Sequence, residues 1–291
     1  MKRKHRLVLI AVAALLCLVL AVAFLLGRDG RGVASYLVWK RLNPTSVTGQ
    51  YANIDGIRLY YEIHGKGEPL LLLHGGLGFS DSLYGLIPPL SKRYMVIAPD
   101  SRGQGRSEDG PGPLTYGAMI DDMAALLKKL GIEKAYVAGW SDGGIIAIGL
   151  AVKYPGLVRA IVPIGANIRP DGLQSASLEE MRHASPDSAD QMAVRLAYKL
   201  IAPEPAHWPE TFRKVNEMWL TQPNFSDDDL RRITCPALIM AGEKDEILDS
   251  HTRLIASLIP GSRLVIVPGA SHELPMEKPG VVVDAIVDFC R

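Results

Sequence analysis

Six residues carry the first chemical signal. Gly139-Trp140-Ser141-Asp142-Gly143-Gly144 set a serine at the centre of a G-x-S-x-G turn, directly behind the apolar run Ala135-Tyr136-Val137-Ala138. A helical pattern over 145–154 follows at once. A serine squeezed between a strand and a helix has its hydroxyl pushed out on a sharp turn, and glycines on either side permit the close backbone approach such a turn needs. That is the posture of a nucleophile. A hydroxyl attacks poorly, however, until a base takes its proton, a carboxylate orients the base and backbone amides receive the oxyanion. The candidate base is His272 in Pro268-Gly269-Ala270-Ser271-His272, a turn expected after the strand pattern Arg263-Leu264-Val265-Ile266-Val267. The candidate acid is Asp245 in Ala241-Gly242-Glu243-Lys244-Asp245, just past the strand pattern over 236–240, with Asp249 as the alternative on the same segment.

All three groups follow expected strands, and in a parallel sheet that means one carboxyl edge, where open α/β sheets build their sites. The elements that must deliver them read as strand, strand, strand, then alternating helix and strand. Residues 50–55 and 57–64 form a leading hairpin with Asp55-Gly56 as its turn signal. Short continuous apolar runs at 70–73 and 94–98 suit strands covered by helices on both faces. Residues 115–130 make an amphipathic helix in which Met119, Met123, Leu126, Leu127 and Leu130 recur at helical spacing and Gly131 stops it. A strand at 159–165 and a last helix at 281–290 complete the frame.

A fourth functional part lies in His74-Gly75-Gly76-Leu77-Gly78, after the run Leu70-Leu71-Leu72-Leu73. The chain order Ser, Asp, His and this glycine-rich loop fit one template. Further pieces are Asp100-Ser101-Arg102-Gly103-Gln104-Gly105-Arg106-Ser107 and the ending Glu277-Lys278-Pro279. On these motifs residues 51–291 resemble the α/β-hydrolase superfamily. The Trp-Ser-Asp-Gly-Gly elbow is similar to that of its valacyclovir-hydrolase (biphenyl-hydrolase-like) group. The resemblance implies an α/β-hydrolase fold, a mostly parallel central sheet with helices on both faces and a small helical cap. It also implies an oxyanion hole from the backbone N–H groups of Gly76 and Asp142, with Leu77 one residue away from the first. In the resembling group an acid after the nucleophile suits a substrate's ammonium, so Asp142 is a candidate substrate-binding carboxylate. The plainer reading makes it a helix N-terminal acid stabilised by the dipole and free amides.

Other residues have structural readings. Asp100 and Arg102 are expected to hold the turn after their strand, and His74 to brace the oxyanion loop. His64, His183, His207 and His251 read as surface or cap residues, and Asp121 and Asp122 as a solvated helix face. Between 166 and 233 the strand pattern lapses, too long for a bare loop. Helices over 178–200 and 208–220 are expected there as a cap over the site, at 167–232, between core segments 51–166 and 233–291. Met181, Met192, Tyr198, Trp208, Phe212, Met218 and Trp219 are its large apolar residues, each able to line a pocket or to pack the cap.

The amino terminus carries a separate message. Four Lys or Arg among the first six residues precede residues 7–26, a run with no charge, Pro or Gly. As a helix it would span about 30 Å, the hydrocarbon thickness of a bilayer. The basic flank favours a cytoplasmic amino terminus and an exported domain. A cleaved signal peptide, with Ala21-Val22-Ala23 as its cleavage site, is the alternative and would leave a secreted protein. Segment 1–26 is thus a signal-anchor or signal peptide and 27–50 a linker.

Net charge of +1, 48% apolar and 22% charged residues are ordinary for a globular domain and show no nucleic-acid footprint. No Cys/His spacing resembles a metal site and no loop a phosphate cradle, so no cofactor or metal is expected. Whether Cys235 and Cys290 pair is not legible from spacing. The expected reaction is hydrolysis of a carboxylic ester or related acyl bond of a small molecule, through an acyl-enzyme. Carbon–carbon bond hydrolysis, perhydrolysis and aminopeptidase action use the same three groups. A membrane-tethered binding protein on this fold is the non-enzyme alternative. Haloalkane dehalogenases and epoxide hydrolases place Asp at the elbow, which Ser141 argues against.

Overall fold

Leu70, Leu71, Leu72 and Leu73 are each no more than 1% exposed. Side chains alternate along a strand, so burial at every position requires cover on both faces. This strand, β3 (Glu68–Leu73), lies inside an eight-stranded sheet in the computed structural model, which describes residues 36, 38–42, 47–189 and 191–291. The other strands are β1 (Val47–Ile54), β2 (Ile57–His64), β4 (Tyr94–Pro99), β5 (Ala135–Trp140), β6 (Val158–Ile164), β7 (Leu238–Lys244) and β8 (Arg263–Ser271). Their spatial order is β1-β2-β4-β3-β5-β6-β7-β8. β2 runs antiparallel to both its neighbours and every other pairing is parallel. Asp55 and Gly56 join β1 to β2 with φ of 44° and 82°, the paired left-handed residues of a tight hairpin turn.

The chain divides into two units, Met1–Ser46 and Val47–Arg291. In the first, residues 38–42 are helical, while the apolar run 7–26 lies outside the described residues. Among the described residues no helix is long and apolar enough to cross a membrane. The second unit opens with β1 at Val47, inside the stretch read from sequence as linker.

The helices of the second unit begin with α1 (Ile87–Leu90), α2 (Tyr116–Lys129) and α3 (Asp142–Lys153). Thr115 starts α2 by accepting the Ala118 N–H on its side chain at 3.1 Å. Met119, Met123, Leu126 and Leu127 form its fully buried stripe. α3 is buried without interruption from Asp142 to Ala151, which explains why its sequence is apolar on all sides. Between β6 and β7 the chain makes α4 (Ser175–His183), α5 (Met192–Ile201), α6 (Trp208–Thr221) and α7 (Asp227–Arg231). The single helix expected over 178–200 is therefore two. Pro186 has no N–H to donate and disfavours helical backbone at Ser185, so α4 stops at His183. The Pro186 carbonyl instead accepts the Trp208 indole N–H at 2.8 Å, beside a small core of Tyr198, Trp208 and Phe212. α8 (Asp249–Leu258), α9 (Leu274–Glu277) and α10 (Pro279–Phe289) follow.

Three residues expected at the surface are buried, two of them against partners remote in sequence and His64 against a neighbour on its own strand. Asp122 is fully buried and clasped by Arg102, with Nε–Oδ2 and Nη2–Oδ1 distances of 2.6 and 2.5 Å. Arg102 thus serves α2 rather than Asp100, which accepts the Ser80 N–H at 2.6 Å and pairs with Arg106 at 3.1 Å. His64 is buried 2.9 Å from Glu62, and His251 accepts the Ile168 N–H on Nε2 at 3.1 Å. His183 and His207 are exposed, as expected. Cys235 and Cys290 are both free thiols.

Arg102→Met leaves the Asp122 carboxylate buried without its counter-charge, a loss of about 3–5 kcal/mol in comparable cases. The expected result is a lower urea midpoint at similar denaturant sensitivity, largely restored in Arg102→Met/Asp122→Leu. An unchanged midpoint in the single variant would contradict this account of α2.

Candidate active site

Ser141 is the hinge between β5 and α3, with φ of 53°. A side-chain-bearing residue held in such a region stores about 1–3 kcal/mol of strain, so the surroundings must fix it. They do so through three backbone hydrogen bonds. Ser141 N–H donates to Ile164 O at 2.8 Å, and Ser141 O accepts from Gly144 N–H at 2.8 Å and Ile145 N–H at 3.0 Å. The helix also presses against the sheet: a Cβ on Gly143 would lie 2.4 Å from the Leu73 carbonyl oxygen.

From this turn the Ser141 Oγ reaches His272 Nε2 at 3.0 Å, and His272 Nδ1 reaches Asp245 Oδ1 at 2.7 Å. An ionised carboxylate only accepts, so the ring proton sits on Nδ1 and Nε2 is left to accept the serine hydroxyl. Asp245 also accepts the N–H groups of Ile247 at 3.0 Å and Gly242 at 3.3 Å. Burial alone would raise its pKa, but the His272 bond and charge, with these amides, hold it below the ordinary carboxylate value. Burial likewise pulls the His272 imidazole down, and the Asp245 bond and charge, with Glu246 and Glu273, lift it above its usual value. The Trp140 indole N–H donates to the His272 carbonyl at 2.8 Å, and the Gln174 amide to the Asp245 carbonyl at 2.6 Å. Asp249, the alternative acid, starts α8 and pairs with Arg253 instead.

The segments carrying the acid and the base differ from the sequence reading. β7 and β8 run on to Lys244 and Ser271, so Asp245 and His272 directly follow strand ends rather than closing long turns. Pro268-Gly269 reads locally as a turn, yet β8 is an edge strand, where a missing N–H costs no ladder bond. The register slips between Gly242 and Lys244 to accommodate the extension.

On the facing side, His74 is 1% exposed. Its Nε2 accepts the Ser101 N–H at 2.9 Å, so its Nδ1 donates to the Gly75 carbonyl at 2.7 Å. Burial holds this imidazole below its usual pKa, neutral and committed to tying the loops after β3 and β4 together. The loop it braces sends Gly76 and Leu77 to a cavity of about 280 Å³ that also contains Ser141, Asp142 and His272. Of the seven apolar residues noted between β6 and β7, only Met181 and Trp219 line it. Tyr198, Trp208 and Phe212 pack on one another, Met218 joins the main core and Met192 is exposed.

Asp142, 3% exposed, is held by two donors that local sequence patterns did not reveal. Tyr116 Oη donates to its Oδ1 at 2.7 Å, and Trp219 Nε1 lies 2.9 Å from Oδ1 and 3.2 Å from Oδ2. Oδ1 thus takes both short bonds, while Oδ2 points at Gly76, 2.7 Å from where a Cβ would be. Burial pushes the Asp142 pKa up to about 6, although the Tyr116 and Trp219 hydrogen bonds and the His272 charge oppose it. Glu246 and Glu273 are the other carboxylates lining the cavity, and among its described lining residues there is no Lys or Arg.

Because the Leu73 carbonyl is backbone and cannot swing aside, Gly143→Ala must push α3 off the sheet. Overpacking of this kind costs about 1–3 kcal/mol or more. A thermal midpoint within a degree of the parent's would show that the contact is softer than its geometry implies.

A model of the Alpha/beta hydrolase family matches residues 70–285 of this chain. Serine hydrolase BPHL of Homo sapiens is 33% identical over 241 residues, which cover 79% of this chain and 82% of that protein. A putative carbamate hydrolase, RutD of Azorhizobium caulinodans, is 31% identical over 261 residues, covering 82% and 97% respectively. Among solved structures, the meta-cleavage product hydrolase CumD of Pseudomonas fluorescens superposes with a TM-score of 0.70 at 25% identity, covering 83% of this chain and 97% of that one. The family match over most of the sheet, together with these relatives, agrees with the strand order and the strand-end loops, and the chain belongs to the alpha/beta hydrolase family.

Proposed function

We propose that this chain is a serine hydrolase that cleaves a carboxylic ester through Ser141, His272 and Asp245. The observation that carries the reading is the continuous hydrogen-bond chain from Asp245 through His272 to Ser141, ending in a cavity large enough for a small acyl substrate. In the first half-reaction Ser141 Oγ bonds to the ester carbonyl carbon while its proton passes to His272 Nε2. The N–H groups of Gly76 and Asp142 take the oxyanion. Collapse breaks the bond to the leaving oxygen, which leaves as the alcohol with the proton from Nε2. Water repeats the sequence on the acyl-serine and releases the acid. Ser141→Ala is expected to cut turnover by about 10⁴-fold or more and to abolish labelling by a fluorophosphonate. Retained labelling at another residue would refute the assignment. Turnover should rise with pH as His272 loses its proton, with an inflection above the ordinary imidazole value of 6.5.

Within that class we infer an ester bearing a protonated amine, with Asp142 as its partner. A neutral ester would develop its oxyanion next to a buried carboxylate, which is unfavourable, whereas an ammonium brings the counter-charge with it. Oδ2 of Asp142 has only the longer indole contact, and the cavity's other formal charges are those of Glu246 and Glu273, with His272 able to protonate. The amine form of an amino-acid ester should be preferred over its N-acetylated twin by about tenfold or more in kcat/KM, a single desolvated charge pair being the difference. Asp142→Asn should remove the preference. For the amine substrate KM should fall as pH rises through about 6, where Asp142 ionises, and for the acetylated twin it should not. Equal rates for the two esters would sink this part while leaving the Ser141 chemistry standing.

We further propose that residues 7–26 tether the chain to a bilayer with the hydrolase domain outside the cytoplasm. The uncharged run and the four basic residues among the first six support it.

A further inference from the structure

Met192, Leu196 and Leu200 follow one another at single-turn spacing on α5 and are 61%, 58% and 76% exposed. Ala193 and Lys199 complete the same outward stripe. The opposite side of α5 is engaged: Gln191, just before it, and Val194 line the cavity, while Tyr198 packs on Trp208. A helix normally turns its apolar side inward, so one that shows a second apolar stripe to water has a further surface to meet.

We propose that the outer face of α5 rests on the surface of a phospholipid bilayer. This rests on the reading of residues 7–26 as a membrane tether. Residues 27–46, which separate that run from β1 and are helical at 38–42, span less than the about 70 Å of a fully extended stretch. The domain beyond it has a radius of gyration of about 18 Å for its length, so a stretch of this length is comparable with the domain's own dimensions. Confinement near the bilayer raises the local concentration of lipid, and a modest apolar contact then suffices. The composition of the stripe fits an interfacial helix: three long flexible apolar side chains, with Lys199 able to extend its ammonium to lipid phosphate. Lys199 is exposed. Because α5 also lines the cavity, this contact brings the pocket to the lipid–water boundary and favours esters that partition into lipid.

The test uses the full-length protein with Cys17 and Cys235 replaced by Ser. An environment-sensitive fluorophore is placed through Leu196→Cys, Leu200→Cys or, in the turn between β2 and β3, Lys66→Cys. Each protein is reconstituted into phosphatidylcholine–phosphatidylglycerol vesicles with and without doxyl-labelled lipid. Flotation with the vesicles reports the tether, and quenching reports the stripe. The expected result is co-flotation of all three, with quenching at 196 and 200 at least about threefold that at 66. Co-flotation with equal quenching at all positions overturns the proposal and spares the tether. Failure to float overturns both. Cross-linking between two copies through position 196, in place of quenching, gives the face to a second copy and overturns it too. In parallel, Leu196→Glu/Leu200→Glu should slow hydrolysis of a long-chain ester carried in the vesicles by about fivefold, and that of a short soluble ester by less than about twofold. Equal effects on both esters would count against the contact.

Discussion

The turn at Ser141 is the constraint from which the candidate site is built. Its backbone sits at φ of 53°, where a residue with a side chain stays only if its neighbours over-determine it. Here β5 and α3 are joined without slack, and the bare Gly143 lets the helix lie against the Leu73 carbonyl. The strain of about 1–3 kcal/mol is offset by three backbone hydrogen bonds and the wholly buried α3. Relaxing that turn would move the hydroxyl, the start of α3 and the Asp142 amide together. The nucleophile and one oxyanion donor of the proposed chemistry both depend on one backbone angle.

Two aspartates in this site show when partners outweigh burial and when they do not. Asp245 and Asp142 are 4% and 3% exposed, and burial opposes ionisation in both. Asp245 meets a hydrogen bond and a charge from His272 plus two backbone amides, and its pKa falls. Asp142 is pushed up to about 6 by burial, which outweighs a phenol and an indole that donate without bringing a charge and a His272 charge to which it has no hydrogen bond. The first is well placed to orient an imidazole. The second is a buried carboxylate still short of a positive charge, which motivates the amine-bearing substrate.

Much of this arrangement was legible in local pattern. The Leu70–Leu73 run, the Asp55-Gly56 turn, the α2 stripe and the order Ser141, Asp245, His272 are all short-range signals, and a parallel sheet turns strand-end position into spatial proximity. Contacts between distant elements are not legible in this way. Charge implies water for Asp122 and His251, yet the fold supplies each with a partner from another element, whereas the partner of His64 is Glu62, two residues back on the same strand face. Pro268-Gly269 is a turn signal by local pattern, since nothing local says that β8 is an edge strand that tolerates it. The split between α4 and α5 is, by contrast, a local signal, carried by Pro186 within an otherwise helical pattern.

By itself the sequence determined which residues could react, that they fall at the ends of strands, and that an uncharged run of bilayer length precedes the domain. These follow from chemistry and from periodicities of two and 3.6, which are properties of neighbouring residues. Only the tertiary structure decided that Tyr116 and Trp219, 26 and 77 residues from Asp142, would grip its carboxylate. It alone also decided that the cavity would be lined by acids and no Lys or Arg among its described residues, and that α5 would turn a second apolar face outward. Such facts depend on which side chains meet across elements distant in the chain, and no local period encodes that meeting.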